Sequence, residues 1–254
     1  MRFGCCQPIQ RAAAVAAAGF EYLECPVVSL RPEGSRAHFE AVIRPAFVQS
    51  PLPVETFNVL LPGDIALTGP EVDTGRIGRY LAEAFARIAE VGGELVVFGS
   101  GAARSVPEGF DRHRARDQIL AFLHTARDLA VPSGLTLVIE PLRVVETNIC
   151  NTVTEALDLA RAVGEPVAAL ADFYHMREQD EPLEHLVAAG DLLRHIHVAD
   201  TGRKAPGTGD YPYADFARLL RQAGYDGRVS VECGWGDFDD EAPRARRFLQ
   251  RVFG

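Results

Sequence analysis

The chain has 254 residues, 47% hydrophobic and 24% charged, enough apolar material for a large core with an ordinary charge content for a globular protein. Acidic residues (35) outnumber basic ones (26), for a net charge of −9; a surface of that sign repels nucleic acid and anionic lipid, so neither is expected as a partner. Five cysteines without a CxxC pair argue against a disulfide framework and a thiolate zinc site, and read as reduced thiols in a cytosolic protein.

Taken in order, the chain alternates short apolar runs with longer amphipathic stretches. "RFGCC" opens it as a strand, and "AAAVAAAG" follows. That alanine-rich run reads as part of a first helix over 8–18: its residues are too weakly apolar for a signal-peptide core, and no simple basic leader precedes it. No apolar run approaches the ~20 residues a membrane span needs. The further strands are "FEYLEC", "TFNVL", "ELVVF", "LTLVIE", "VAALAD", "LRHIHVA" and "RVSVEC". Each is bounded by polar, glycine or proline residues. Helices are expected over 35–47, 73–91, 112–131, 151–163, 182–189, 213–223 and 240–252. In "NTVTEALDLARAVG" the helix opens on Asn151 as its cap and closes on Gly164.

Strict strand–helix alternation implies a parallel sheet with helices outside, and eight units of this kind close into a (β/α)8 barrel, an architecture that occupies ~250 residues as one domain. The expectation is therefore one TIM barrel over residues 1–254. An open doubly wound sheet is the runner-up, but the first strand–helix turn, "RFGCCQPIQ", carries no GxGxxG phosphate-binding signature. The proline-rich "VQSPLPV" is too short to divide domains.

In such a barrel, chemistry sits where strands end and loops begin. The last four strands end on Glu140, Asp172, His197 and Glu232, spaced by 32, 25 and 35 residues. Each gap is about one strand–helix unit, so four neighbouring strands bring three carboxylates and one imidazole to one rim. A single acidic residue at a strand end reads most simply as a helix cap or loop hydrogen-bonder. Four in register are a different matter. Carboxylates ending buried strands are costly unless paired, and together they repel. A divalent cation removes that repulsion. The oxygen-rich set suits Mn²⁺ foremost, or Mg²⁺ or Co²⁺, whereas zinc would want more histidine or cysteine. His195 shares a strand face with His197. It reads as a hydrogen-bonded core histidine or as a support for the metal ligand above it.

The stretches "IEPLRVVETNICNTVTEAL", "ADFYHM", "HIHVADTGRKAPGTGD" and "VSVECGW" resemble the sugar isomerase/epimerase superfamily with the xylose isomerase-like barrel. Within it, the likeness is to the ketose 3-epimerase (tagatose and psicose epimerase type) and hydroxypyruvate isomerase branch. The resemblance implies that Glu140, Asp172, His197 and Glu232 bind one divalent metal and that Glu140 and Glu232 also move protons. It implies that His175 and Arg203 bind substrate oxygens and that Glu146 meets the substrate end. Tyr174 stands where many relatives have phenylalanine, and the N-terminal half offers no residue match.

Such a site would acidify the C–H beside a ketone by stabilising the enediolate formed on its loss. Two glutamates on opposite faces of a sugar give epimerisation, and one shuttling between adjacent carbons gives aldose–ketose isomerisation. The expected activity is isomerisation or epimerisation of a small ketose or hydroxy-keto sugar acid. A metal-dependent dehydratase of an inositol ketone is the alternative. A DNA-repair endonuclease of the same ancestry ranks low, given seven histidines and a net charge of −9. A non-catalytic sugar-binding protein would not need the metal set. The expected partner is a small sugar, with self-association left open. At the rim, "TGRKAPGTGD" reads as a flexible lid or, less simply, a phosphate cradle. Trp235 reads as a pocket wall or ordinary loop packing, and Ser100 and Arg104 as lining for the entrance.

Overall fold

The eight apolar runs form eight strands: β1 (Arg2–Cys6), β2 (Tyr22–Pro26), β3 (Val54–Asn58), β4 (Leu95–Phe98), β5 (Thr136–Ile139), β6 (Val167–Asp172), β7 (Leu193–Val198) and β8 (Arg228–Val231). The computed structural model describes all residues, 1–254. Every strand pairs in parallel with the next, and β8 returns to β1, so the sheet is a closed barrel in sequence order. A parallel sheet wrapped by helices buries both faces, which is why β3 and β6 are buried at every position and why β6 reads as an apolar run rather than an alternation.

The long helices cover Thr74–Glu90, Arg112–Ala130, Val153–Val163, Tyr213–Gln222 and Phe238–Phe253. Asp73, Asp111 and Asp237 cap three of them by accepting backbone amides with their carboxylates. The helix expected over 151–163 begins at Val153, with its cap one residue later than its sequence suggests. Thr152, not Asn151, is the cap, in a reciprocal capping box with Glu155. Asn151 instead donates its side-chain amide to the carbonyls of Leu142 and Thr147.

The segment expected as one helix over 35–47 is helical throughout but broken in character: Arg36–His38, a widened π turn over Phe39–Ile43, then Arg44–Val48. Pro45 has no N–H for the carbonyl four residues back, and its ring crowds that carbonyl; the wider turn ahead of it absorbs the conflict. The helix expected over 182–189 shrinks to His185–Ala189. A short helix not foreseen, Phe173–Glu178, starts directly from β6.

Outside the barrel wall, 66 buried residues form one core between strands and helices, while Leu95, Val97, Val138, Ala168 and Leu170 form a small cluster within it. Elsewhere the barrel interior is polar: Glu24, Thr56, His195, His197 and Ser230 are all buried. Gly4 makes room for this, since a Cβ there would lie 2.2 Å from the Tyr22 ring. At the N-terminal end of the barrel, Arg2 and Arg228 both bind Glu55, and Arg228 also binds Glu94. A cavity of about 710 Å³ opens at this end, along the starts of β6, β7 and β8. Arg228 in its wall is already paired with Glu55, and Asp226 with the N-terminal amine. The strand ends that carry the expected site residues lie at the other mouth. No helix is long and apolar enough to cross a membrane.

Candidate active site at the C-terminal mouth of the barrel

Asp172 and His197 are residues of β6 and β7 and face each other in register. Glu140 and Glu232 sit one residue beyond β5 and β8, where their amides still bond to the carbonyls of Phe98 and Val198. Four adjacent strands therefore deliver the four side chains to one point. Their ligand atoms lie within 4.8 Å of one another. His197 Nδ1 is 3.1 Å from Glu140 Oε1 and 3.6 Å from Glu232 Oε2. Asp172 divides its carboxylate: Oδ1 accepts the amides of Tyr174 and His175 and so caps the short helix, leaving Oδ2 for the cluster. Gly99, just past β4, leaves space for Glu140, because a Cβ there would meet Glu140 Oε2 at 2.2 Å.

The electrostatics separate the two glutamates. Burial pushes the Glu140 carboxyl up, and the nearby Glu232 and Asp172 carboxylates add to it, against the opposing pull of His197. Burial also acts on Glu232, but the His197 ring and the Arg203 guanidinium outweigh it and hold this carboxyl down at about 2. Burial lowers the His197 imidazole, yet the Glu24 and Glu232 carboxylates win and keep it well above its ordinary value. Three acids and one imidazole in a buried cluster form a donor set that a hard divalent cation satisfies.

The other expected residues gather around this cluster. Arg203 donates to Glu232 Oε2 at 2.7 Å and to Glu146 Oε1 at 3.4 Å. Its φ of 57° is the left-handed region, unusual for a side-chain-bearing residue; the Gly234 amide anchors the strained turn by bonding to the Arg203 carbonyl. Glu146 is also bound by Arg143 at 2.8 Å, and both guanidinium groups approach the Tyr174 ring, at 5.1 and 5.2 Å from its centre. His175 is buried, with Nε2 3.7 Å from Asp172 Oδ2 and Nδ1 4.0 Å from Glu146 Oε1. Neither ring nitrogen has a hydrogen-bond partner within the protein, so the imidazole can serve an oxygen of a bound molecule.

Several expectations at the rim are corrected. Arg104 does not line an entrance: it is fully buried and donates to the carbonyls of Phe98, Glu140 and Cys150. It fixes the backbone from which Glu140 projects. Ser100 accepts the Leu61 amide. In the glycine-rich loop the amides of Thr201 and Gly207, and that of Tyr211 just beyond it, are spent on the Asp200 carboxylate and are not free to hold a phosphate. The same bonds tie the loop to Asp200, just past the end of β7. Trp235 packs edge-on against Phe238 at 5.0 Å.

Three contributors were not foreseen. Glu24 of β2 accepts from both His195 and His197 at 2.8 Å. His195 is thus a hydrogen-bonded core histidine that shares its acceptor with His197. Asn58 of β3 donates to Glu232 Oε1 at 3.1 Å. Cys6 of β1 lies with Glu24 and His197 in a second group of close donor atoms. All three carried the strand-end or strand-interior polar signal. They lie on β1, β2 and β3, however, away from the run of four consecutive units.

Fold and site together define an eight-stranded α/β barrel with a buried carboxylate–imidazole cluster at its C-terminal mouth. The chain belongs to the xylose isomerase-like TIM barrel family, whose model matches residues 12–252. It is 30% identical over 251 residues to a putative hydroxypyruvate isomerase of Streptomyces coelicolor, covering 90% of this chain and 86% of that protein. It is 30% identical over 159 residues to the L-ribulose 3-epimerase of Methylomonas sp. (strain DH-1); the match spans 54% of this chain and about half the length of that relative, 56%. Among solved structures, the D-psicose 3-epimerase with D-tagatose from Clostridium cellulolyticum H10 superposes with a TM-score of 0.85 at 21% identity, covering 100% of this chain and 99% of that one. At that identity the likeness establishes the shared fold.

Proposed function

We propose that this protein is a divalent-metal-dependent isomerase or epimerase of a small ketose or hydroxy-keto sugar acid. The observation that carries the reading is the convergence of Glu140, Asp172, His197 and Glu232 within 4.8 Å at the barrel mouth. The activities named for the relatives, hydroxypyruvate isomerase and L-ribulose 3-epimerase, support it.

Glu140, Asp172, His197 and Glu232 would hold the cation, with Mn²⁺ the best match and Mg²⁺ or Co²⁺ as alternatives. The cation supplies Lewis-acid polarisation of a carbonyl beside the C–H to be broken. Glu140 and Glu232 are the proton carriers. A carboxylate takes the proton from carbon, and a carboxylic acid returns one to the opposite face or to the neighbouring carbon. His175 and Arg203 orient substrate oxygens, and Glu146, which accepts a hydrogen bond from Arg203, meets the substrate end. General acid–base assistance of this kind contributes about 10²–10⁴-fold.

The test is solvent deuterium exchange into a panel of ketoses by protein stripped of metal and by protein supplied with Mn²⁺. The expected result is uptake of one deuterium beside the carbonyl, dependent on Mn²⁺. Glu232→Gln is expected to keep its fold and lose exchange by about 10²-fold or more. Unchanged exchange in Glu232→Gln would remove this residue from the proton path; equal exchange without metal would overturn the cation's role.

A further inference from the structure

Glu24 takes no part in the chemistry above, yet it is the most heavily hydrogen-bonded carboxylate inside the barrel. It is fully buried on β2. His197 Nε2 meets its Oε1 at 2.8 Å. His195 Nε2 at 2.8 Å, Thr56 Oγ1 at 3.0 Å and Ser230 Oγ at 2.6 Å all meet its Oε2. The Tyr22 hydroxyl, 2.8 Å from Ser230 Oγ, extends the network. The partners come from β3, β7 and β8, so the barrel itself assembles the arrangement.

An ionised carboxylate only accepts hydrogen bonds, so each group that meets it must supply the proton. Ser230 donates to Glu24, and Tyr22 therefore donates to Ser230. By the same logic His197 must carry a proton on Nε2. A cation that binds the ring displaces one of its protons, leaving a neutral imidazole with one N–H and one coordinating nitrogen, and which is which is set by the partner of the N–H. The other nitrogen, Nδ1, faces Glu140 Oε1 at 3.1 Å and Glu232 Oε2 at 3.6 Å, inside the carboxylate cluster.

We infer that Glu24 is a positioning residue that locks His197 in the Nε2–H tautomer and in the ring rotation that presents Nδ1 to the cation. The inference rests on the cation site of the proposed function. Glu24 touches neither the cation position nor substrate. It acts through His197 alone, as carboxylates behind metal-binding histidines do. His195, the second imidazole on the same acceptor, completes the bonding of Glu24 and explains why two histidines lie on one face of β7.

The experiment is titration of wild-type and Glu24→Gln protein with Mn²⁺, following bound metal by electron paramagnetic resonance, with thermal melting of both proteins alongside. The amide keeps the shape of the carboxylate but sets an NH₂ group among donors that need acceptors. The expected result is Mn²⁺ affinity weakened by about 10- to 100-fold in protein that still melts cooperatively. A lower melting temperature with unchanged Mn²⁺ affinity would mean a structural role only and would overturn the inference. A second measurement needs no variant: nitrogen NMR of histidine-labelled wild-type protein loaded with diamagnetic Zn²⁺. It is expected to show His197 coordinated through Nδ1 with a proton on Nε2; coordination through Nε2 overturns the inference. Wild-type protein that takes up neither metal removes the proposed function together with this inference, whereas equal uptake by wild type and Glu24→Gln removes the role of Glu24 alone.

Discussion

Glu140 and Glu232 occupy equivalent places at the ends of β5 and β8, yet their surroundings treat them differently. Glu232 receives Arg203 and Asn58 directly. Glu140 receives only His197 on its carboxylate, while Arg104 below it binds its backbone carbonyl. One glutamate is therefore charged-paired and the other buried beside like charges. Space is as tightly controlled as charge. Gly99 has no side chain because Glu140 Oε2 occupies the place of its Cβ, 2.2 Å away. Gly99→Ala is expected to fold but to push Glu140 from the cluster. Equilibrium dialysis against Mn²⁺ should show affinity weakened by about 100-fold or more, since displacing a ligand group costs more than losing a supporting contact. Unaltered binding would mean that Glu140 can turn aside without leaving the site.

At the scale of elements, the helices do more than shield the strands. Asp172 ends β6, caps the helix Phe173–Glu178 through Oδ1, and by doing so presents Oδ2 to the cluster and His175 to the space above it. The loop between β5 and the helix Val153–Val163 is held in the same way by Asn151, whose amide binds the carbonyls of Leu142 and Thr147, close to Glu146. The division of labour between Asn151 and its neighbour is testable. Thr152→Ala removes the helix cap and is expected to cost about 1 kcal/mol of stability, read by urea unfolding. The local signals for this helix, a small polar residue at its start and Gly164 at its end, were legible in the sequence. Which of two adjacent cap-capable residues would close the helix was not, because Asn151 is claimed by loop carbonyls that only the folded chain brings near. The π turn over Phe39–Ile43 was hidden for a related reason: hydrophobic spacing shows that a segment is helical, while Pro45 shows only that its hydrogen bonds must rearrange somewhere.

For the molecule as a whole, the two mouths of the barrel have opposite characters. The C-terminal mouth concentrates carboxylates with few cations to balance them. At the N-terminal end a balanced network in which Glu55 joins Arg2 and Arg228 ties β1, β3 and β8 across the interior. Burial pushes the Glu55 carboxyl up, but hydrogen bonds from Arg2 and Arg228 prevail and leave it below its ordinary value of 4.5. A carboxyl lowered in the folded state stabilises the fold above its unfolded value, and this contribution is lost as pH falls through the lowered one. Wild-type stability is therefore expected to fall as pH drops below about 4.5, more steeply than that of Glu55→Gln, which starts less stable at neutral pH. Thermal melts of both proteins across that range check the sign, and parallel curves would show that Glu55 does not contribute to acid lability.

The sequence by itself determined the number, order and parallel direction of the strands, because eight apolar runs alternating with amphipathic helices have one economical closed arrangement. It also determined the cluster of Glu140, Asp172, His197 and Glu232. Their spacing repeats the strand–helix unit, so a one-dimensional period becomes a common rim. Only the tertiary structure decided which groups stand behind that cluster. Glu24 lies on β2, far from His197 in the chain, and reaches it only across the barrel interior, a distance that no periodicity records. It likewise turned Arg104 from a rim residue into a buried clamp, since a guanidinium among backbone carbonyls has no sequence pattern of its own.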